Sequence, residues 1–423
     1  MRIGIVGFGA ATIGLLSRLE NTDNQIDVYE RAKDIYSSSV SGIRADGKIF
    51  ISRSMGGDLD LTRVLQQEIV DYYLARINIE QTLIERGSSF RSREWYNKFY
   101  ESGFEPIQSD YWHIGTDELK NVITNIYDGF QSAENIRFHF GVQVKDIKIQ
   151  GNKAWIEGID EEYDLIIIAV GRTGHRLVNR MIERFPHLIM ENTKVDLGIR
   201  YELPDHVLDT INHEMYEFKV KLRTETGYTA RSFCNNPSGY VVLEEYDDFV
   251  IVNGHAKLYE KSNNTNFAIL VTHNFTEPFD EPVGYGTYIA KLCNILAGGR
   301  KVILQTYGDF KRTKRTKHLG RVVPTLGSDQ YILGDLNLAI PGKTRNALIE
   351  FIDRLDEVIP GVGFGDNLMY GMEIKFYSNK LSDDHPQLKF IGDCSGWTRS
   401  ITYATAHGIL LAEEIVAETQ HEV

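Results

Sequence analysis

The sequence predicts an α/β protein in which a mostly parallel sheet with a β-meander is interrupted by a β-rich α+β segment. The 423-residue chain opens with a strand, a glycine turn and a helix, and it closes with a strand, a Gly-Asp pair and a long helix. Short strand-like runs fill most of the region between them. We therefore expect one domain built from residues 1–174 and 386–423, with a helical excursion at about 57–100, and a second domain of residues 175–385 inserted into it.

The N-terminal stretch predicts a dinucleotide-binding βαβ unit. Arg2–Val6 has the composition of a buried strand, and a helix with apolar residues at helical spacing follows the glycine turn. In such a unit, Gly7 permits the tight turn and Gly9 lets the backbone approach a pyrophosphate. The next strand ends in Glu30, at the distance where a carboxylate accepts hydrogen bonds from the adenosine ribose.

The third glycine of the Gly-x-Gly-x-x-Gly pattern is replaced by Thr12, and Gly14 follows two residues later. Ala10 and Ala11 then begin the helix whose N-terminal N–H groups would face the phosphates.

The C-terminal stretch indicates that the dinucleotide is FAD. Leu388–Ile391 predicts a strand, Gly392-Asp393 follows it, and a long helix is expected from about Thr398. A strand ending in Gly-Asp before a helix at the far end of the chain is typical of flavoproteins, in which the aspartate binds the ribitol chain and the helix N-terminus faces the pyrimidine ring of the flavin. The segment Tyr163–Gly174 predicts the returning strand of the same domain, after a hairpin at Gly151-Asn152. Further cofactor contacts are expected from Arg31, Arg44, Val144, Gly171, Trp397 and Thr398.

Several motifs, in order along the chain, resemble those of one protein family. They are His113–Leu119 (HIGTDEL), Val195–Pro204 (VDLGIRYELP), Ser232–Gly239 (SFCNNPSG) with Val252–Gly254, Tyr370–Ser378 (YGMEIKFYS) and Gly392–Ile401 (GDCSGWTRSI). They resemble the FAD-dependent dehydrogenases within the p-hydroxybenzoate-hydroxylase and geranylgeranyl-reductase type of two-dinucleotide-fold flavoproteins. The chain departs from that pattern in the glycine-rich loop near residues 41–58 and at Trp397–Arg399, and Glu373 alone survives clearly from the family's Glu-Thr-Arg-Thr strand.

The resemblance implies a Rossmann-like FAD-binding domain and a second domain whose sheet forms one wall of the substrate cavity, facing the flavin. The substrate-pocket residues that it implies are Phe233, Tyr240, Asn253, Glu373 and Arg399. Cys234 lies beside them and is a wall residue, a substrate contact or a catalytic thiol; no neighbouring cationic residue in the sequence lowers its pKa. His255 is either an acid–base group or a satisfied polar residue.

Composition restricts the partners. A net charge of −13 disfavours binding to nucleic acid or anionic lipid. Three cysteines form neither a disulfide framework nor a CxxC zinc pair, and there is no HExxH motif, so we expect no metal. A strand at the very start and apolar runs far shorter than a membrane span predict a cytoplasmic protein. The basic run Lys311–Arg321 is a solvated, counter-charged loop or a landing site for an anionic substrate or the NADPH phosphate.

These expectations lead to an FAD-dependent oxidoreductase that transfers a hydride between flavin N5 and a small organic substrate. Its electrons come from NAD(P)H bound transiently or from the substrate itself. One alternative is a flavin-dependent monooxygenase that uses NAD(P)H and O2, and another is a flavin-binding sensor or scaffold without turnover.

Overall fold

The computed structural model describes residues 1–37, 47–78, 84–191, 194–275, 278–279 and 281–421. The strands are β1 (Arg2–Val6), β2 (Gln25–Glu30), β3 (Lys48–Ile51), β4 (Glu85–Ser88), β5 (Phe104–Pro106), β6 (Asp110–His113), β7 (Ile136–Phe140), β8 (Ile147–Gln150), β9 (Lys153–Ile156), β10 (Glu162–Tyr163), β11 (Leu165–Ile168), β12 (Ile189–Glu191), β13 (Lys194–Pro204), β14 (Val220–Arg223), β15 (Thr229–Asn236), β16 (Tyr240–Glu245), β17 (Val250–His255), β18 (Asn264–Asn274), β19 (Val302–Thr306), β20 (Tyr331–Leu333), β21 (Leu368–Phe376), β22 (Lys380–Leu381) and β23 (Leu388–Phe390).

The helices are α1 (Ala10–Leu19), α2 (Arg53–Gly56), α3 (Arg63–Leu74), α4 (Arg93–Glu101), α5 (Thr116–Phe130), α6 (His175–Arg184), α7 (Asp209–Glu214), α8 (Pro282–Leu296), α9 (Tyr307–Lys311), α10 (Gly342–Val358) and α11 (Ile401–His421). Short 3-10 turns cover Arg172–Gly174, Pro186–Leu188, Asp205–Val207, Leu336–Leu338 and Gly392–Ser395. The last helix therefore begins three residues after the position that the sequence indicated.

The chain divides into two units. Unit 1 contains Met1–Ile84, Trp112–Asn192 and Ser378–Val423, and unit 2 contains Glu85–Tyr111 and Thr193–Tyr377. The sequence placed the domain limits at 174/175 and 385/386 instead. Helix α6 belongs to unit 1 because its apolar face, including Leu177 and Met181, packs into a core of that unit. Residues 85–111 belong to unit 2 because β5 pairs antiparallel with β14, so the predicted helical excursion at 57–100 ends in a strand, β4, and in α4.

A five-stranded, fully parallel sheet forms the centre of unit 1, in the order β23-β11-β1-β2-β7. Its central strands are apolar on both faces, as expected for strands covered on both sides. Helices α1, α5 and α11 contribute to one core against it, and the antiparallel meander β8-β9-β10 contributes to another. The predicted α/β class with a parallel sheet and a β-meander is confirmed.

An eight-stranded sheet dominates unit 2, in the order β20-β19-β21-β13-β18-β15-β14-β5. The β19–β20 pair is parallel and the other pairs are antiparallel. Because strand side chains alternate between faces, β13 sends Leu197, Ile199 and Tyr201 into the main core, and Arg200 and Glu202 to the opposite face. Both polar side chains are nonetheless fully buried, so this face of the sheet requires internal partners for its charges.

Candidate cofactor site and the polar face of unit 2

The carboxyl ends of four parallel strands meet at one edge of the unit 1 sheet. Gly7 follows β1, Glu30 ends β2, Gly171 follows β11, and Gly392-Asp393 follows β23. Ligands of open parallel sheets bind outside this edge. The sequence-predicted glycine and acidic positions of the cofactor site are therefore brought to one place by the topology.

The glycine turn after β1 leaves no room for a side chain. Gly7 has φ +101°, in the region that favours glycine, and a Cβ there would lie 2.6 Å from the carbonyl oxygen of Ala169. Gly9 caps α1 without a side-chain hydrogen bond, and its carbonyl accepts a hydrogen bond from the N–H of Ile13 at 2.8 Å. The N–H groups of Ala10 and Ala11 therefore lack intrahelical acceptors, which is the arrangement that binds phosphate oxygens.

Glu30 is buried behind this turn. Its Oε2 accepts a hydrogen bond from the N–H of Phe8 at 2.9 Å, and its Oε1 accepts one from the N–H of Ala32 at 2.8 Å. The carboxylate thus fixes the turn to the end of β2. Each oxygen has a second lone pair and can still accept from a hydroxyl group.

The departure at Thr12 is compensated by Gly14. The Thr12 hydroxyl donates to the carbonyl of Gly7 at 2.7 Å, so this side chain fixes the turn. The close packing that the third glycine normally permits occurs at Gly14 instead, where a Cβ would lie 2.0 Å from the carbonyl oxygen of Thr405 in α11. Gly408 provides the reciprocal contact, since its Cβ would lie 1.9 Å from the Ala11 carbonyl oxygen. Helices α1 and α11 therefore cross with their backbones in contact.

The Gly-Asp turn is held by its own neighbours. Gly392 has φ +72°, and its N–H donates to Nδ1 of His407 at 3.3 Å. Asp393 accepts a hydrogen bond from the Thr398 hydroxyl at 2.9 Å, and its other oxygen lies 3.6 Å from Nε of Arg172. Burial lowers the pKa of His407 to about 4, so the ring is neutral at pH 7 and its Nδ1 accepts the Gly392 N–H.

The loop before α11 is clamped by the segment after α2. Gly57 forms a bridge with Thr398, and the N–H of Asp58 donates to the carbonyl of Trp397 at 2.9 Å. A Cβ at Gly57 would lie 2.3 Å from that same carbonyl oxygen. The altered glycine-rich stretch and the altered C-terminal loop are thus partners of one another.

Charges complete this clamp. Nη2 of Arg399 donates to Oδ1 of Asp58 at 2.7 Å, and Nζ of Lys380 lies 3.0 Å from Oδ2. Burial alone would raise the pKa of Asp58, but the hydrogen bonds and charges of Arg399 and Lys380 lower it overall. The Trp397 indole N–H donates to the carbonyl of Leu381 at 2.8 Å. Arg399, which the resemblance implied as a pocket residue, is placed here with Asp58 in unit 1.

The remaining residues that the sequence predicts as cofactor contacts belong to unit 1 where the structure describes them. Arg31 is exposed and donates to the Thr173 hydroxyl at 3.0 Å. Val144 is half-buried and packs against the core to which the β8-β9-β10 meander contributes. Gly171 has φ +60° and begins the turn after β11. Arg44 lies outside the described residues.

On the polar face of unit 2, Arg200 connects several predicted pocket residues. Its guanidinium is fully buried and forms two hydrogen bonds with Glu373, 2.7 Å from Nε and 2.6 Å from Nη2. Nη2 also donates to Oδ1 of Asn253 at 3.0 Å, and Nη1 donates to the carbonyl of Cys234 at 3.1 Å. In the sequence, Arg200 stands out only as part of the motif VDLGIRYELP, through the Gly-x-Arg-x-Glu pattern of that strand.

Cys234 lies in a β-bulge of β15. The pairing with β18 advances three residues on β15, from Phe233 to Asn236, for two residues on β18. Cys234 has φ +45°, a left-handed conformation that costs a non-glycine residue about 1 kcal/mol or more. The bulge turns the Cys234 carbonyl toward Arg200, and the side chain is half-buried.

The hairpin β16–β17 carries the other predicted residues. Tyr240 and His255 are direct cross-strand partners, and Asn253 pairs with Val242. The Asn253 amide donates to Glu244 at 3.0 Å while its oxygen accepts from Arg200. A Cβ at Gly254 would lie 2.8 Å from Nη1 of Arg200 and closer still to two asparagine side chains, so the hairpin approaches the buried guanidinium closely.

The basic run Lys311–Arg321 has acidic partners. Lys311 lies 2.9 Å from Asp353, Arg312 lies 3.0 Å from Asp309, and Arg321 lies 3.2 Å from Asp366. These pairs favour the interpretation of a solvated, counter-charged loop.

In the part of the chain that the structure describes, no helix is long and apolar enough to cross a membrane. Within those same residues, no group of three or more His, Cys, Asp or Glu side chains could hold a metal ion.

Comparison with known proteins gives a family match over part of the chain and a set of similar structures. Residues 194–375 match the family described as "FAD-dependent protein, C-terminal domain-like". No curated protein matches the sequence. The 2,6-dihydroxypyridine-3-hydroxylase from Arthrobacter nicotinovorans aligns at 13% identity and TM-score 0.42, over 97% of this chain and 83% of that one. Tetracycline destructase Tet(51) aligns at 11% identity and TM-score 0.38, over 100% of this chain and 82% of that one. At such identities and TM-scores, these two structures carry no functional argument.

The family match confirms the resemblance inferred from the sequence motifs, since it covers the strands that carry three of them. FAD is the cofactor, as predicted, since the matched family is one of FAD-dependent proteins. The roles of the individual residues stay predictions.

Proposed function

We propose that FAD lies along the carboxyl edge of the unit 1 sheet and that the protein is a dehydrogenase or reductase of a small organic substrate. One observation supports this most strongly: an uncapped helix N-terminus at Gly9, the Glu30 carboxylate and the Gly392-Asp393 turn follow strands of the same parallel sheet. This set fits the three polar parts of FAD. Phosphates need N–H donors, and both the ribose and the ribitol need acceptors for their hydroxyl groups.

In this proposal each residue has a defined task. The N–H groups of Ala10 and Ala11 donate to the pyrophosphate, and Glu30 accepts from the adenosine ribose. Asp393 accepts from the ribitol chain while Thr398 and Arg172 hold its carboxylate in place. The N-terminus of α11 provides a positive dipole end for negative charge on the flavin ring.

The bound flavin would supply hydride transfer at N5, and the polypeptide would supply position and electrostatics. On the polar face of unit 2, Arg200 fixes the Cys234 carbonyl and the Asn253 amide, so these groups are pre-oriented for a substrate. Tyr240, Phe233, Glu373 and Arg399 stay proposed substrate contacts, and Cys234 and His255 stay proposed catalytic groups. A cytoplasmic location, a small-molecule substrate and the absence of a nucleic-acid partner belong to the same proposal.

The test is the visible absorption spectrum of the purified protein, followed by anaerobic addition of NADPH and then NADH. A yellow protein that one nicotinamide bleaches supports a reductase, and one that neither bleaches but a metabolite does supports a substrate-oxidising dehydrogenase. If a hydroxylated product forms when O2 is readmitted, the protein is a monooxygenase and the proposed reaction is wrong. A protein that cannot be reconstituted with FAD would contradict the proposal outright.

Asp393→Asn tests the cofactor site directly. Loss of the carboxylate weakens its hydroxyl contacts, and we expect the FAD content of the purified variant to fall. Asp128→Asn, at an exposed position of α5, is the matched control and keeps the wild-type FAD content. Equal FAD content in the two variants would remove Asp393 from the site.

A further inference from the structure

A buried threonine hydroxyl at the start of α11 has no hydrogen-bond partner among the residues that the structure describes. Thr402 is fully buried, and its Oγ1 bonds to no described residue. A buried hydroxyl without a partner is unfavourable, because folding removes the water that bonds to it in the unfolded chain. Buried polar atoms of native folds nearly always have a partner, so this one indicates a group from outside the polypeptide.

Thr402 occupies the first turn of α11. Ser400 precedes the helix; its carbonyl accepts from the N–H of Ala404 at 2.9 Å, and its hydroxyl accepts from the N–H of Tyr403 at 3.3 Å. The N–H groups of Ile401 and Thr402 come before these bonds, so they have no acceptor within the helix. Because the Cα–Cβ bonds of an α-helix tilt toward its N-terminus, the Thr402 side chain is directed toward the same end as these N–H groups.

The start of α11 belongs to the same edge of unit 1 as the other cofactor residues. Thr398, four residues before Thr402, donates its hydroxyl to Asp393 at 2.9 Å. A Cβ at Gly392 would lie 2.9 Å from the Cβ of Ala11, so the Gly-Asp turn lies against the first residues of α1. The ribitol chain that Asp393 would bind is bonded directly to the flavin ring, so the ring begins beside this helix N-terminus.

We propose that the Thr402 hydroxyl donates a hydrogen bond to the pyrimidine edge of the flavin, at N1 or the C2 carbonyl oxygen. This inference rests on the proposed function, because it adds a residue to the same cofactor site. A hydroxyl binds a charged acceptor more strongly than a neutral one. The contact therefore stabilises the reduced flavin, which carries negative charge at this edge, more than the oxidised flavin, and it raises the reduction potential of the cofactor.

Three variants isolate this hydroxyl. Thr402→Val keeps the shape of the side chain without the hydroxyl, and Thr402→Ser keeps the hydroxyl. Thr405→Val is the matched control: Thr405 lies one turn further along α11 and is also buried, but its hydroxyl is 3.0 Å from that of Tyr73 and is satisfied within the chain. The two valine variants thus remove the same group from the same helix.

The test measures FAD binding and reduction potential in the full-length protein. FAD is released and titrated back while quenching of flavin fluorescence reports binding, and the two-electron potential is measured on the reloaded protein. We expect Thr402→Val to weaken FAD binding about threefold or more. Its preference for reduced over oxidised flavin should fall about fivefold, which lowers the potential by about 20 mV. Thr402→Ser and Thr405→Val should keep both values of the wild type.

Thermal melts of the FAD-free proteins give a second readout, in which the two valine variants should differ in sign. Thr402→Val removes a buried hydroxyl that has no partner in the chain, so it should raise the melting midpoint. Thr405→Val leaves the Tyr73 hydroxyl without its partner, so it should lower the midpoint.

Weaker FAD binding and a lower potential in Thr402→Val, with recovery in Thr402→Ser, support the inference. Wild-type affinity and potential in Thr402→Val overturn it, and so does equal weakening by the two valine variants or a lower melting midpoint of FAD-free Thr402→Val. If the wild-type protein binds FAD and Thr402→Val matches it, this inference alone is rejected. If the wild-type protein cannot be reconstituted with FAD, the proposed function is rejected and this inference with it.

Discussion

Replacing Glu373 by glutamine would remove the negative half of a buried ion pair while keeping the shape of the side chain. Arg200 is fully buried, and two of its nitrogens bond to Glu373 at 2.6 and 2.7 Å. Breaking a buried pair by neutralising one partner typically costs about 3–5 kcal/mol, since the other charge stays buried. Here the amide oxygen of glutamine, the Cys234 carbonyl and the Asn253 oxygen can still accept from Arg200. We therefore expect the lower end of that range, about 3 kcal/mol.

Removing both charges together should cost less than the sum of the separate losses. In Arg200→Met/Glu373→Met no charge stays buried, and two apolar side chains fill much of the volume. The Cys234 carbonyl and Asn253 lose one donor each, at about 1 kcal/mol apiece. The double-mutant cycle should thus show a coupling free energy of at least about 2 kcal/mol.

Scanning calorimetry of the full-length protein is the suitable assay, because a protein of two units does not guarantee a single transition. A loss of about 3 kcal/mol should lower the midpoint of the affected transition by roughly 6–12 °C. The control is Glu105→Gln, which breaks the surface pair with Lys221 in the same unit, and it should cost less than about 1 kcal/mol. If Glu373→Gln costs no more than Glu105→Gln, the buried pair does not organise this face and the reasoning is refuted.

Three further predictions concern the helix crossing, the flavin turn and the bulge. Gly14→Ala places a Cβ 2.0 Å from the Thr405 carbonyl oxygen and should destabilise the protein by roughly 1–3 kcal/mol. Gly129→Ala, in a helix with open space around that position, should stabilise the protein by up to about 1 kcal/mol. Thermal melts in which both variants shift in the same direction would contradict the close packing at Gly14. The pKa of His407 is about 6.5 in the unfolded chain and about 4 in the fold, so the stability is fully present above pH 6.5 and should decline by roughly 1–3 kcal/mol as the pH falls toward 4. Thermal melts of His407→Asn across that range should show a flatter dependence of stability on pH. An unchanged slope of stability against pH would exclude this histidine as the cause. Cys234→Ser should keep the FAD content, and its turnover decides the role of the thiol: full activity excludes catalysis by sulfur, and abolished turnover with FAD retained supports it.

Local sequence signals predicted the unit 1 sheet and the positions at its carboxyl edge. Strand β1, the glycine turn and the Gly-Asp turn after β23 each depend on neighbours in sequence, so their patterns are visible without a structure. The compensation for Thr12 was not visible, because it depends on a contact between Gly14 and Thr405, which lie at opposite ends of the chain. The same applies to Asp58 and Arg399: each altered loop is unusual alone, and they form one clamp only in the fold.

On the polar face of unit 2, prediction from the sequence fails for a different reason. Cys234, Asn253 and Glu373 belong to separate motifs on β15, β17 and β21, and the residue that joins them, Arg200, is on β13. Alternation along β13 predicts which side chains share a face, but it does not predict that a polar face is buried. The membership of residues 85–111 in unit 2 was hidden for a related reason, since the three-residue strand β5 is too short to give a periodic signal.

The β-bulge gives the backbone of Cys234 a structural role that is separate from any role of its thiol. At φ +45° the residue directs its carbonyl to a buried guanidinium, and this contact needs no sulfur. Glycine adopts that conformation without strain, so Cys234→Gly should gain about 1 kcal/mol of stability while keeping the carbonyl contact. A Cys234→Gly variant that is more stable and fully active assigns the position to the geometry of the Arg200 network. A variant that is more stable but inactive would show that the protein accepts backbone strain in order to place a thiol there.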